Sequence, residues 1–278
     1  MAVTLKGNAA GSNLGKRIVG WADEVALSGS AIFDDCPLET VTVNIAKTDE
    51  EFREFARGNV PDWGIGVANR ELMSITIKDP ALFSYSQSLG EVIRHEFAHL
   101  YLENCCSDCQ WPRWFHEGCA VMFSGEWRVG RDVTVARALV TSSLPALNEL
   151  DDVNNFTKIK ADIAYSLSYL AVRYFIDTYG RQGLRELLMN QRAGQSFSTA
   201  FFHATGKSYS LWEKDFKNYL KKRYFFIFWF GDWPFFWTAM VLFFIFIYVM
   251  KRRQMKRKTE EWDKTDRFNN HDYGKSQD

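Results

Sequence analysis

The alternation of hydrophobic and polar positions changes period along the chain. Over residues 40–46, Val41, Val43 and Ile45 alternate with Thr42 and Asn44, which predicts a half-buried strand. Residues 72–77 repeat that rhythm, with Met73, Ile75 and Ile77 opposite Ser74 and Thr76. Together with 64–68 they predict a hairpin around Asn69-Arg70-Glu71. A further strand is predicted over 26–33. Thr48 and Glu51 have the spacing of a capping box, so 49–57 is predicted as a short helix with Phe52, Phe55 and Ala56 on its apolar side. Residues 1–25 are small and polar-rich, with a weak amphipathic stretch from Leu14 to Val25, and read as a mobile or loosely packed lead-in. From Ser88 onward the period becomes helical. Ser88 and Glu91 form a second capping box, followed by apolar Leu89, Val92, Ile93, Phe97, Leu100 and Tyr101. Helices are predicted from Pro112 to Phe123 and over 160–179, 181–190, 196–205 and 210–224, with Gly180, Gly194 and Gly206 at the breaks. Residues 133–140 fit helix or strand, and 58–63, 125–130 and 148–155 read as loops.

Periodicity then disappears. Residues 233–250 carry no charge and as a helix reach about 27 Å, close to the thickness of a bilayer's hydrocarbon core. Lys221, Lys222 and Arg223 precede this run, and Lys251, Arg252 and Arg253 follow it. The pattern predicts an interfacial segment at 225–232, a span at 233–250 and a charged, disordered tail at 251–278. Aromatic residues make up 16% of the chain, and their concentration in 224–248 assigns that excess to the membrane run. Basic residues are denser after the span than before it, which puts the tail in the cytoplasm and the main domain in the periplasm or outside the cell. No secretory signal is visible at the N-terminus. The 34 basic and 34 acidic residues balance, so the chain has no nucleic-acid footprint.

The chemistry concentrates at Arg94-His95-Glu96-Phe97-Ala98-His99-Leu100. On a helix, His95 and His99 stand one turn apart on one face and can share a divalent metal. Glu96 between them can accept a proton from metal-activated water. A zinc hydrolase site needs a third protein ligand. Glu117, on the next predicted helix, competes for that place with His116 and with Cys105, Cys106 and Cys109.

His95-Glu96-Phe97-Ala98-His99 followed by Trp114-Phe115-His116-Glu117-Gly118-Cys119-Ala120 resembles the gluzincin metallopeptidases, and most of all the peptidase MA-like domains of bacterial proteins. Residues 164–180 also look like the helical segment that follows in those domains. The resemblance covers roughly 40–205 and implies an α+β, zincin-like domain over 26–224. That domain would have an N-terminal sheet with an edge hairpin, a metal-binding helix and a helical C-terminal lobe. It implies a zinc-dependent peptidase in which His95, His99 and Glu117 bind Zn²⁺, Glu96 is the general base, and a peptide or protein is the substrate. Tyr165, or Tyr169 one turn away, would supply the second electrophile for the oxyanion. The hairpin at 64–77 fits the edge-strand region of those domains, and its own pattern suits either a purely structural element or an edge strand that pairs with an extended peptide substrate. Two departures stand out. The Gly-x-Met-Glu-Asn motif of the aminopeptidases is absent, which argues against that activity. Val121 occupies the position of the thermolysin-like Asp.

The five cysteines admit three readings: half of a structural zinc site at Cys106 and Cys109, disulfides in an exported domain, or buried thiols, most of all at Cys119. Two rivals to a peptidase are a membrane-tethered zinc-binding module without turnover and a metal hydrolase acting on a non-peptide bond.

Overall fold

A computed structural model describes residues 2–6, 13–30, 36–57, 64–79, 88–125, 134–136, 138–139, 144–150, 158–231 and 233–273. The expected loop at 58–63, and most of those at 125–130 and 148–155, lie outside these residues. Of the ambiguous 133–140, residues 134–136 and 138–139 are helical. The chain forms two compact units, 1–224 and 225–278.

The first unit is α+β. Its strands are β1 (Ala2–Lys6), β2 (Thr40–Ala46), β3 (Gly66–Asn69) and β4 (Ser74–Lys78), in the spatial order β1-β2-β4-β3. β1, β2 and β4 run parallel, and β3 joins β4 antiparallel. β3 is therefore an edge strand, displayed by the tight turn in which Met73 takes a positive φ of 44°. The alternation in the sequence implied a polar outer face for β2 and β4. The structure instead buries all of β4, and Asn44 donates to Thr76 Oγ1 at 3.3 Å between the two strands. Pairing the two polar side chains is what makes their burial tolerable.

The helices are α1 (Asn13–Ser28), α2 (Asp49–Ala56), α3 (Leu89–Cys105), α4 (Arg113–Ser124), α5 (Lys158–Arg192, broken at Gly180), α6 (Phe197–Thr205) and α7 (Tyr209–Gly231). Both expected capping boxes place a side-chain oxygen on a backbone N–H: Thr48 accepts from Glu51 and Ser88 from Glu91. α3 is the hub, packed against α1, α4, β3 and β4.

Two N-terminal expectations are corrected. Within 1–25, the described residues 2–6 and 13–25 are not a mobile lead-in, because β1 is hydrogen-bonded beside β2 and α1 buries Ile18, Ala22 and Val25. The strand expected at 26–33 is overridden, since residues 26–28 finish α1; residues 31–33 lie outside the described set. The apolar stripe of α1 finds a surface on α3, and that packing outweighs the local β propensity.

The second unit contains α8 (Trp233–Tyr273). Residues 251–273, expected to be disordered, continue this helix. No Gly or Pro interrupts them before Gly274, and acidic and basic residues recur at helical spacing. Among the described residues no helix is long and apolar enough to cross a membrane. The side chains of 225–235 lie outside the described set. The uncharged run that remains, 236–250, falls short of the roughly 20 residues a span requires.

Candidate metal centre

Helix α3 places His95 and His99 on one face, and α4 crosses it so that Glu117 meets them. The close approach of α4 depends on Gly118. A Cβ there would sit 2.3 Å from the Ser168 carbonyl oxygen and 2.7 Å from Val172 of α5. The glycine after Glu117 thus lets α4 seat against α5 with the carboxylate turned toward α3. Arg94 fixes the other side, donating from Nε to the Ser124 carbonyl at 2.9 Å and from Nη1 to Glu24 at 3.2 Å.

The three side chains converge through one atom each. His95 Nε2 and His99 Nε2 are 3.0 Å apart, and each is 3.4 Å from Glu117 Oε2. Ligands on a tetrahedron of radius about 2.0–2.1 Å stand roughly 3.3–3.4 Å from one another, so the two edges to Glu117 match a tetrahedral zinc face and the edge between the histidines is a few tenths of an ångström shorter. The surroundings fit a cation as well. Glu117 Oε2, the carboxylate oxygen that faces both imidazoles, is buried without a hydrogen-bond partner, a condition that costs about 1–3 kcal/mol unless something fills it. This is the group among the described residues that could hold a metal ion. His116 is turned away from it: its Nε2 lies 3.6 Å from Glu103, and its ring packs 4.3 Å from that of His99. The cysteines form two disulfides, Cys36–Cys105 and Cys106–Cys109, while Cys119 is a buried free thiol.

Glu96 projects from α3 under the edge strand. It is 7% exposed, and β3 passes so close that a Cβ on Gly66 would lie 2.9 Å from Glu96 Oε1. Burial raises its pKa. The charges of His95 and His99 act against that rise, the Glu117 carboxylate adds to it, and the Ala68 backbone N–H bonded to it again opposes it. A carboxyl raised in this way is a stronger proton acceptor than one in water. Glu117 moves oppositely. Burial would raise it, but the His99 charge, the two imidazole nitrogens 3.4 Å from Oε2 and the Arg113 charge together hold it well below the usual carboxylate range. One carboxyl is thus suited to accept a proton and the other to stay ionised as a ligand.

The residue that reading the sequence missed is Arg113. Its Nη2 meets Glu117 Oε1 at 2.8 Å, leaving Oε2 to the histidines. It also hydrogen-bonds the Tyr165 hydroxyl; burial opposes its charge, and Glu117 and Tyr165 more than offset that. The i,i+4 spacing of Arg113 and Glu117 was the available signal. Tyr165 lies beside the centre, its ring centroid 6.2 Å from that of His95. Tyr169 points elsewhere, accepting from Arg173 Nη1 at 3.2 Å. His95, His99, Glu117, Glu96 and Tyr165 are therefore gathered in one place, and Tyr169 is not.

Compared with known proteins, residues 32–222 match the family profile of the Peptidase MA superfamily. The chain is also similar to a Bacillus subtilis (strain 168) protein called "Uncharacterized protein YhcO", at 25% identity over 146 residues. That alignment covers 51% of this chain and 43% of the relative.

Proposed function

The chain belongs to the Peptidase MA superfamily, and from that premise we propose that it is a zinc-dependent metallopeptidase with His95, His99 and Glu117 as ligands. The observation that carries this reading is the buried triangle of 3.0, 3.4 and 3.4 Å between one atom of each residue. When bound, zinc supplies a Lewis acid that polarises the scissile carbonyl and acidifies water. The side chains do the rest. Glu96 accepts the proton and delivers it to the leaving amine. Tyr165, oriented by Arg113, donates to the oxyanion. Arg113 holds Glu117 Oε1 so that Oε2 stays directed at the histidines.

The edge strand supports a peptide as substrate. Lys78 N–H bonds the Ile65 carbonyl, so in the alternating antiparallel ladder Gly66 and Ala68 aim their backbone groups away from β4. Ala68 does bond Glu96. An extended chain laid along this edge would run directly over the base.

A bilayer is the environment we propose for α8. Its described apolar residues lie on the surface, Leu242 and Phe246 at 61% exposure each, which is costly in water and favourable in hydrocarbon. The two disulfides favour an oxidising compartment for the first unit, and the basic residues after 250 favour a cytoplasmic tail. The test is cleavage of a mixed peptide library by the zinc-loaded chain, with Glu96→Gln as control. Zinc-dependent cleavage that falls at least a hundredfold in the control supports the reading. Bound zinc without cleavage favours the non-catalytic module instead.

A further inference from the structure

Next to the metal centre is a cavity of about 620 Å³ that the mechanism above leaves unused. It lies between the β3–β4 turn, the C-terminal end of α3 and the start of α4. Arg70, Glu71, Glu103, Trp111, Arg113 and His116 are on its wall. Its volume falls in the range of small-ligand sites. Two wall residues also reach the centre: Arg113 through its 2.8 Å bond to Glu117, and His116 through its ring against His99. A substrate lying over Glu96 and His99 would therefore have a neighbouring residue at the mouth of this cavity.

The polar inventory of the wall is one-sided. Arg70 Nε and Trp111 Nε1 are buried N–H donors with no hydrogen-bond partner, whereas no wall carboxylate oxygen is in that condition. Buried donors left unmatched call for an acceptor from outside the chain. We infer that this cavity is a substrate subsite for a carboxylate-bearing residue, an aspartate or glutamate side chain, with Arg70 as its principal recognition residue. The inference rests on the peptidase reading and adds a substrate class to it. Arg70 is suited to the role because a guanidinium offers a fork of donors matching two carboxylate oxygens. Arg113 already spends part of its fork on Glu117. Glu103 opposes an acidic guest and its charge also interacts with Arg70 and Arg113, but its carboxylate is turned toward His116, 3.6 Å away, and Glu71 is exposed to solvent that screens it. Their presence yields a discriminating expectation: removing the Glu103 charge strengthens an acidic preference and weakens a basic one.

The experiment uses the zinc-loaded full chain and pools of internally quenched peptides, identical except that one position at a time carries Asp/Glu, Asn/Gln or Lys/Arg. At one position the acidic pool is cleaved about tenfold more efficiently than the amide pool. Arg70→Gln removes that difference, Arg70→Lys retains part of it, and Glu103→Gln widens it, with melting temperatures recorded to exclude misfolded variants. The subsite assignment is overturned by equal cleavage of all pools, by a preference for Lys/Arg, or by an Arg70→Gln variant that slows acidic and amide pools by the same factor. If a chain holding one zinc cleaves no pool, the peptidase reading falls and the subsite with it; loss of acidic preference alone removes only the subsite.

Discussion

Helix α3 keeps Glu96 and His99 at 7% and 9% exposure, whereas α8 presents Leu242 and Phe246 at 61% each. The first hides groups that water would solvate, and the second displays groups that water rejects. Each arrangement costs free energy in an isolated, water-filled setting, and each becomes favourable with a particular partner. The partner proposed for α3 is a cation held between three atoms; the partner proposed for α8 is hydrocarbon. Two departures from ordinary burial, opposite in sign, therefore point to two different partners, and the sequence around each matches its partner. α3 interrupts an apolar helix with two imidazoles and a carboxyl, while α8 omits charge from 233 to 250 and then becomes basic.

The largest expected effect breaks the α8 half of this contrast. Replacing Leu242 and Phe246 together by Asp costs about 5 kcal/mol or more for a helix in hydrocarbon, on the order of 2.5–3.5 for each charge near the centre. The protein then moves from the membrane fraction to the soluble fraction, and zinc content stays the same. A double variant that still pellets with membranes at high salt removes the bilayer as partner.

The next effect breaks the α3 half through packing. Gly118→Val drives a side chain into the Ser168 carbonyl and Val172, costing about 3 kcal/mol and lowering the midpoint of thermal unfolding by roughly 10 °C. Zinc affinity falls with it, because Glu117 is displaced. Unchanged melting would mean that α4 and α5 are not in contact at this point.

Two tyrosines one turn apart sharpen the comparison further. Tyr165→Phe lowers kcat about a hundredfold with little change in KM, as removal of an oxyanion donor does, and Tyr169→Phe leaves kcat within about threefold. Equal effects from both would assign them to packing. The smallest effect concerns Cys119. Burial pushes its thiol well above the ordinary cysteine range, so at pH 8 it carries essentially no thiolate. It should resist iodoacetamide in the folded protein and react once the chain is denatured. Rapid labelling of the native protein would show that the interior of α4 is open.

Much of the α3 site was legible because its information is local. The spacing of His95, Glu96 and His99 fixes a face of one helix, and Ser88 with Glu91 fixes where that helix begins. The hairpin was legible for the same reason. The N-terminal part was not. β1 gains its place only by pairing Ala2 with Thr40, with α1 between them in the chain, and α1 becomes a helix by packing on α3; neither neighbour is visible within a window of sequence. Which cysteine joins Cys105 was equally hidden, since Cys36 lies 69 positions away. Arg113 shows an intermediate case. Its spacing from Glu117 was in view, but the bond to Tyr165 needed the α4–α5 crossing that Gly118 permits.

Zinc stoichiometry across four forms of the full chain tests the central claim most directly. The unmodified protein and Glu96→Gln each bind one zinc per chain, while His95→Ala and Glu117→Ala bind substantially less, and only the unmodified protein cleaves peptides. Zinc content unchanged by both His95→Ala and Glu117→Ala would contradict the assignment of the metal centre.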